Sequence, residues 1–347
     1  MSRITVLGSG AWGTAIALSL ANQSLANRAL ATRDGHRITL WSHRAEAAET
    51  LRKSRENRHF LPGIPLPDSI EITASDAEAV AGAEILVCVV PSQFLRPTIT
   101  RLARHMHDGQ ILVSATKGIE DHSFLRMSEV ITACLADAGL HIPVGALSGP
   151  SFAQEVAAGM PTAVTISFAE ARTAAVIQQE FSSASLRLYT NDDLIGVELG
   201  GALKNVIAIA AGVLGGLGLG LNSAAGLITR GIAEMTRLAV AAGGRRETLG
   251  GLSGLGDLVL TCTGSLSRNR MVGLELGRGR KLPDILASLD GKVAEGVRTT
   301  RAALGLARKL GVEMPITQQM GLILDDGKDP REAIRNLMQR PIRPEED

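Results

Sequence analysis

The chain has 347 residues, 36 basic and 35 acidic side chains, and a formal net charge of +1. That balance gives no bulk attraction to nucleic acid or to an anionic membrane, so neither is expected as a partner. Hydrophobic residues make up 45% but aromatics only 3%, so the cores must come from Ala, Leu, Val and Ile, as in packed helices and parallel sheets.

The length predicts two domains, at roughly 100–200 residues each. Cys88, Cys134 and Cys262 lack the short spacings of zinc or thioredoxin-type motifs, so no metal is expected. An odd cysteine count points to reduced thiols and a cytoplasmic location. The opening "MSRITVLGSG" enters a strand pattern directly, without the features of a signal peptide.

In chain order, "ITVLG" (4–8), "RITLW" (37–41), "EILVCVV" (84–90), "ILVSA" (111–115) and "VGALS" (144–148) read as strands. Several are continuously apolar, as strands buried on both faces are. Helical patterns at 12–25, 93–106 and 124–139 alternate with them. The fold class is therefore α/β: an N-terminal Rossmann-type, doubly wound parallel sheet. "TAVTIS" (162–167) and "LRLY" (186–189) add strands at one edge. Near Asn191 the pattern changes. Asn191 reads as the N-cap of a helix with two acids in its first turn. From there to 338 the periodicity is helical, giving a mostly α second domain. The expected division is 1–190, 191–338 and a charged tail, 339–347. Residues 205–229 have membrane length, but their glycines, Asn205, Asn222 and Ser223 read as buried helix, turn and helix.

"GSGAWG" places Gly8, Gly10 and Gly13 between a predicted strand and a predicted helix. In that context G-x-G-x-x-G is a dinucleotide fingerprint. Gly8 serves the tight turn, Gly10 the approach of a pyrophosphate, and Gly13 the packing of helix on strand. At the end of the second strand, where an acid would bind the ribose of NAD, stand His43 and Arg44. Arg44 suits a 2′-phosphate, so NADPH is expected and NADH is not excluded; an ordinary solvated arginine is the alternative. Residues 24–36 read as an insertion before the second strand.

Ligands of open α/β sheets bind beyond the carboxyl ends of the strands. Pro91 and Ser92 of "VVPSQF", Lys117 of "SATKG", and Gly149, Ser151 and Ala153 of "SGPSFAQE" fall at such ends. A surface lysine remains the alternative for Lys117. In the second half, "SGLGDLVLTCTGSLSRNR" carries Asp257, Ser267, Arg268 and Asn269. A Gly/Ser loop with Arg-Asn at a helix start reads as a phosphate cradle, each charge-assisted bond contributing about 1.5–3 kcal/mol. A solvated helix arginine is the alternative for Arg268. Lys204 sits in "GVELGGALKNVIAIAAGV" on a small, polar helix face with Gly201, Asn205 and Ala208. Two readings are open: a buried lysine tuned to about 7–8 for proton transfer, or one that merely snorkels over apolar surface.

Taken together, "GSGAWGTA", "FLPGIPLP", "VVPSQF", "ATKG", "SGPSFAQE", "GVELGGALKNVIAIAAG", "ITRGIAEM", "GLGDLVLTCTGSLSRNR" and "VAEGVRTT", in this order, resemble the bacterial type of NAD(P)-dependent glycerol-3-phosphate dehydrogenase over about residues 4–338. The resemblance implies reversible reduction of dihydroxyacetone phosphate to sn-glycerol 3-phosphate, at the head of glycerophospholipid synthesis. It implies Lys204 as catalytic acid/base, with Lys117 touching cofactor and substrate. It implies Gly149, Ser151, Asp257, Ser267, Arg268 and Asn269 around the substrate. The cofactor side would include Trp12, His43, Arg44, Ala153, Arg268, Val293 and Glu295. The insertion at 24–36 is the departure from the pattern. A different two-domain dehydrogenase, acting on a 3-hydroxyacyl thioester or phosphosugar acid, and a non-catalytic NADPH sensor are the competing readings. The large apolar helical half is compatible with a homodimer.

Overall fold

The computed structural model describes residues 2–29, 35–342 and 344–345. Among them, eight strands form one sheet in the order β3-β2-β1-β4-β5-β6-β7-β8. They are β1 Arg3–Leu7, β2 Arg37–Trp41, β3 Ile70–Thr73, β4 Ile85–Cys88, β5 Ile111–Ser114, β6 Val144–Ser148, β7 Thr162–Ser167 and β8 Leu186–Asn191. The helices of this half are α1 Ala11–Ala29, α2 Ala45–Ser54, α3 Asp76–Val80, α4 Leu95–Leu102, α5 Met127–Asp137, α6 Ala153–Ala157 and α7 Ala171–Phe181. The strand order reverses between β1 and β4, which opens the crevice where ligands of such sheets bind.

Alternate residues of each strand enter different cores. Ile4, Val6, Ile38, Leu40, Ile85 and Val87 join one cluster. Leu7, Trp41, Leu86, Cys88 and Leu112 join another on the opposite face. That double burial is why these strands are continuously apolar. One expectation needs correction, and one strand was missed. The sheet is not wholly parallel, because β6 and β7 run antiparallel. Their connection contains only the five-residue α6. Such a helix spans about 7.5 Å, too short to carry the chain back along a strand. The short edge strand β3 has no counterpart in the sequence reading. Its "IEIT" exposes Glu71 between buried neighbours and offers only four residues of pattern.

Of the insertion expected at 24–36, residues 24–29 continue α1, and residues 30–34 lie outside the described residues. Residues 343, 346 and 347 of the charged tail also lie outside them.

After β8 the chain is helical: α8 Leu194–Gly216, α9 Leu221–Ala241, α10 Arg246–Leu249, a π-turn at Leu252–Gly256, α11 Asp257–Thr263, α12 Arg268–Gly277, α13 Leu282–Ala287, α14 Glu295–Leu310, α15 Pro315–Asp325 and α16 Pro330–Met338. The N-cap of α8 is Asp193, whose carboxylate accepts from Gly196 N at 2.8 Å; Asn191 is instead the last residue of β8. Asp193 wins because its second oxygen also accepts from Arg245 N.

α8 is buried on every side from Gly196 to Val213. By length and composition it could cross a membrane, but 89% of its apolar window is buried inside the protein, so it is a core helix. α12 crosses it closely. A Cβ on Gly273 would lie 1.9 Å from Ile209 O, and one on Gly212 would lie 2.0 Å from Arg270 O. This glycine contact seats α12 against the C-terminal third of α8.

Candidate active site

Three charged side chains from different elements meet at one point. Lys204 of α8 donates to Asp257 Oδ1 at 2.5 Å. Lys117, in the loop after β5, donates to Asp257 Oδ2 at 2.6 Å and to Gly149 O at 3.0 Å. Asp257, at the start of α11, is 1% exposed, and the Lys204 side chain 9%, so Lys204 does not snorkel. Lys117 keeps 18% of its side chain in solvent. Burial pulls Lys204 down to about 8; the carboxylate of Asp257 opposes this and the charge of Lys117 adds to it.

The small residues around Lys204 have a use that the sequence does not reveal. A Cβ on Gly200 would meet Ser253 O at 2.6 Å, and one on Gly201 would meet Ser148 Oγ at 2.4 Å. They admit the π-turn and the end of β6 to the face of α8, and so bring Asp257 and Lys117 to Lys204. Thr261, absent from the sequence reading, accepts a second N–H of Lys204 at 2.8 Å and lies 2.6 Å from Asp257 O. An ammonium has three N–H donors. Asp257 and Thr261 take two, so the geometry leaves the third for a ligand.

At the start of α12, Ser267 accepts from Arg270 N at 3.2 Å and caps the helix. Asn269 donates to Asn205 Oδ1 at 2.9 Å and accepts from Gly296 N at 3.0 Å, leaving one amide N–H. Arg268 keeps exposed surface, yet surrounding protein crowds its guanidinium enough to lower its pKa, against the opposing charge of Glu295. The Glu295 carboxylate accepts from Ser92 Oγ at 2.6 Å and Ser92 N at 3.1 Å, joining α14 to the end of β4. Desolvation raises the Glu295 carboxyl pKa, against those bonds and Arg268. Val293 is half-buried just before α14. Ser151 donates to Gly149 O at 3.0 Å.

The glycine turn fits a dinucleotide. Gly8 has φ +129°, and a Cβ on Gly13 would sit 1.9 Å from Gly8 O. A Cβ on Gly10 would meet nothing within 4 Å, so open space faces that backbone. Trp12 and Ala153 pack against the same core, and the buried Trp12 Nε1 has no acceptor among the described residues. A donor-only indole N–H in that position is matched by an oxygen-rich ligand. His43 and Arg44 are exposed at the end of β2, Arg44 directly before α2. Burial and the charges of Arg44 and Arg101 lower the His43 pKa.

Asn57 also escaped the sequence reading. It is buried and donates to Ser9 O at 2.9 Å and Thr14 Oγ1 at 2.7 Å, bracing the glycine turn from outside. Losing such a bond costs about 1–3 kcal/mol. Asn57→Ala is therefore expected to raise the NADPH Kd roughly tenfold without changing the substrate KM, as fluorescence titration and steady-state kinetics would read. A separate open depression of about 710 Å³, walled in part by Thr165, Tyr189, Arg245 and Ser253, includes neither lysine nor Asp257. Convergent polar groups, rather than volume, mark the site.

Two sequence models match the chain: one described as the N-terminus of NAD-dependent glycerol-3-phosphate dehydrogenase over residues 3–174, the other as its C-terminus over 193–335. A glycerol-3-phosphate dehydrogenase (NAD(P)+) of Acidobacterium capsulatum is 60% identical, over 99% of this chain and 100% of the relative. One from Koribacter versatilis is 53% identical over 98% of each chain. A solved glycerol-3-phosphate dehydrogenase from Coxiella burnetii superposes with a TM-score of 0.89 at 37% identity, covering 98% of this chain and 99% of that one.

Proposed function

The chain belongs to the NAD-dependent glycerol-3-phosphate dehydrogenase family, and from this premise we propose that Lys204 moves the proton in its reaction. The reaction is reduction of dihydroxyacetone phosphate to glycerol 3-phosphate with NADH or NADPH. Family membership sets aside the sensor and the other dehydrogenases as readings. The observation that carries the proposal is the meeting of Lys204 and Lys117 on the two oxygens of buried Asp257.

When bound, the nicotinamide cofactor supplies the hydride. The chain supplies the rest. Gly8, Gly10, Gly13 and Trp12 line its cradle, Ala153, Val293 and Glu295 border it, and Arg44 suits a 2′-phosphate beside His43. Arg268, the free N–H of Asn269 and the hydroxyl of Ser267 hold the substrate phosphate, with Gly149 and Ser151 beneath the carbon chain. Charge develops on the carbonyl oxygen. The third N–H of protonated Lys204 stabilises that charge and transfers its proton, leaving a hydroxyl and a neutral amine; Lys117 adds positive field. In the reverse direction neutral Lys204 takes the hydroxyl proton.

On this reading residues 1–190 form the dinucleotide-binding domain and 191–338 the helical substrate and catalytic domain, with the site shared between them. The enzyme works in the cytoplasm and supplies glycerophospholipid synthesis. The reading includes a homodimer, which sedimentation measures directly. Arg268→Ala is expected to raise the KM for dihydroxyacetone phosphate about ten- to a hundredfold, the worth of one charged bond. An unchanged KM would move the phosphate elsewhere. The decisive test of the proton role is Lys204→Met.

A further inference from the structure

Glu198 lies on α8, six residues before Lys204 (198 to 204), about 9 Å along the axis. It is 7% exposed. Its carboxylate reaches out of the helical half to the start of α5. Oε1 accepts from Ser128 N at 2.7 Å, and Oε2 accepts from Ser128 Oγ at 2.6 Å and Arg126 Nη1 at 2.5 Å. The residue before α5 is Arg126, and a guanidinium has no acceptor with which to cap a helix. Glu198 supplies that acceptor from the other half of the chain. An anion there is favoured by the helix dipole as well.

The segment between β5 and α5 carries Lys117 at its beginning and Arg126 at its end. Arg126 forms an antiparallel β-bridge with Ile119, two residues from Lys117. Glu120 N donates to Leu125 O at 2.9 Å inside the same loop. Ile119 is buried in the core of the helical half, in the same cluster as Leu199 and Leu203 of α8. The position of Arg126 is therefore passed through the bridge to Lys117.

We infer that Glu198, through Arg126 and Ser128, is a positioning residue that holds the Lys117 loop on α8 and so sets the spacing of Lys117 and Lys204 across Asp257. This rests on the proton-transfer reading of Lys204. A large part of catalysis is geometric, and a displacement of about 1 Å can cost about a hundredfold.

The test compares wild type, Glu198→Ala, Glu198→Gln and Lys117→Met, each followed by NADPH oxidation with dihydroxyacetone phosphate across pH. The charged and polar groups facing Lys204 are Asp257, Thr261 and Cys262 of α11 and Lys117 of the loop. Lys117 repels the Lys204 charge, so a displaced Lys117 lets Lys204 hold its proton to higher pH. Glu198→Ala should lower kcat about ten- to a hundredfold and move the high-pH limb of kcat/KM upward. Glu198→Gln keeps one acceptor for Ser128 N and should recover part of kcat; it carries the same test if the alanine variant fails to fold. In a Lys117→Met background Glu198→Ala should add little, since both act on one contact. A loss of kcat with an unmoved limb, or full additivity with Lys117→Met, would reduce Glu198 to a fold-stabilising cap and overturn the inference. A wild type without a high-pH limb would instead overturn the Lys204 reading on which it rests.

Discussion

Lys204→Met is expected to lower the turnover of dihydroxyacetone phosphate about a thousandfold while NADPH binds as in the wild type, because general acid catalysis contributes about 10²–10⁴. Met keeps the length and apolar stem of lysine, so the buried face of α8 stays filled. The cofactor cradle on β1 and α1 is untouched. What disappears is the whole ammonium: the N–H left for the substrate and, with it, the bonds to Asp257 and Thr261, with Lys117 still paired to the carboxylate. The wild-type pH profile carries a linked signature. Burial lowers Lys204 to about 8. Reduction needs the protonated amine, so kcat/KM should fall as pH rises through about 8. Oxidation of glycerol 3-phosphate needs the neutral amine and should gain over the same interval. Unchanged turnover in Lys204→Met would end the assignment and leave Lys204 as a lysine that merely packs.

The strands, the long helices and the glycine turn were legible because each rests on local pattern. β1, β2 and β7 announce themselves as apolar or β-branched runs, and Gly8, Gly10 and Gly13 as fixed spacing between a strand and a helix. The motifs around Lys204, Lys117, Asp257 and Arg268 stand out in the sequence, but not that the first three side chains meet. Nothing local in "LTCTG" marks Thr261, whose role depends on a helix 57 residues away from it in sequence. Asn57 braces a turn 43 residues earlier. Glu198 caps a helix 70 residues before it. Long-range hydrogen bonds carry no periodicity. The small face beside Lys204 was legible as a place of close approach, but not that Ser253 and Ser148 of the protein itself are what approach Gly200 and Gly201. The antiparallel β7 escaped for a related reason. Strand direction depends on how far the connecting segment reaches, and "TAVTIS" is the same string in either direction of pairing.

Asp257→Asn should be the variant in which activity and stability fail together. The buried carboxylate gives one oxygen to each lysine. An amide of the same shape offers one oxygen and one NH2 group, so one ammonium faces a donor and neither retains a counter-ion. Breaking a buried pair in this way costs about 3–5 kcal/mol, which calorimetry would read as a melting temperature lower by several degrees. The kinetic consequence has a definite sign. Asp257 holds the Lys204 pKa up, while burial and Lys117 pull it down. Without the carboxylate, Lys204 should lose its proton below the wild-type value of about 8, and the high-pH limb of reduction should move to lower pH. That direction is opposite to the shift expected when Glu198 is lost, so the two variants separate the counter-ion from the positioning of Lys117. Adding Lys204→Met to Asp257→Asn removes one of the two stranded ammoniums. The double variant should therefore melt above Asp257→Asn alone, although it is no more active. A limb that stays in place, or a double variant less stable than the single, would mean that Asp257 is not the group balancing the two lysines.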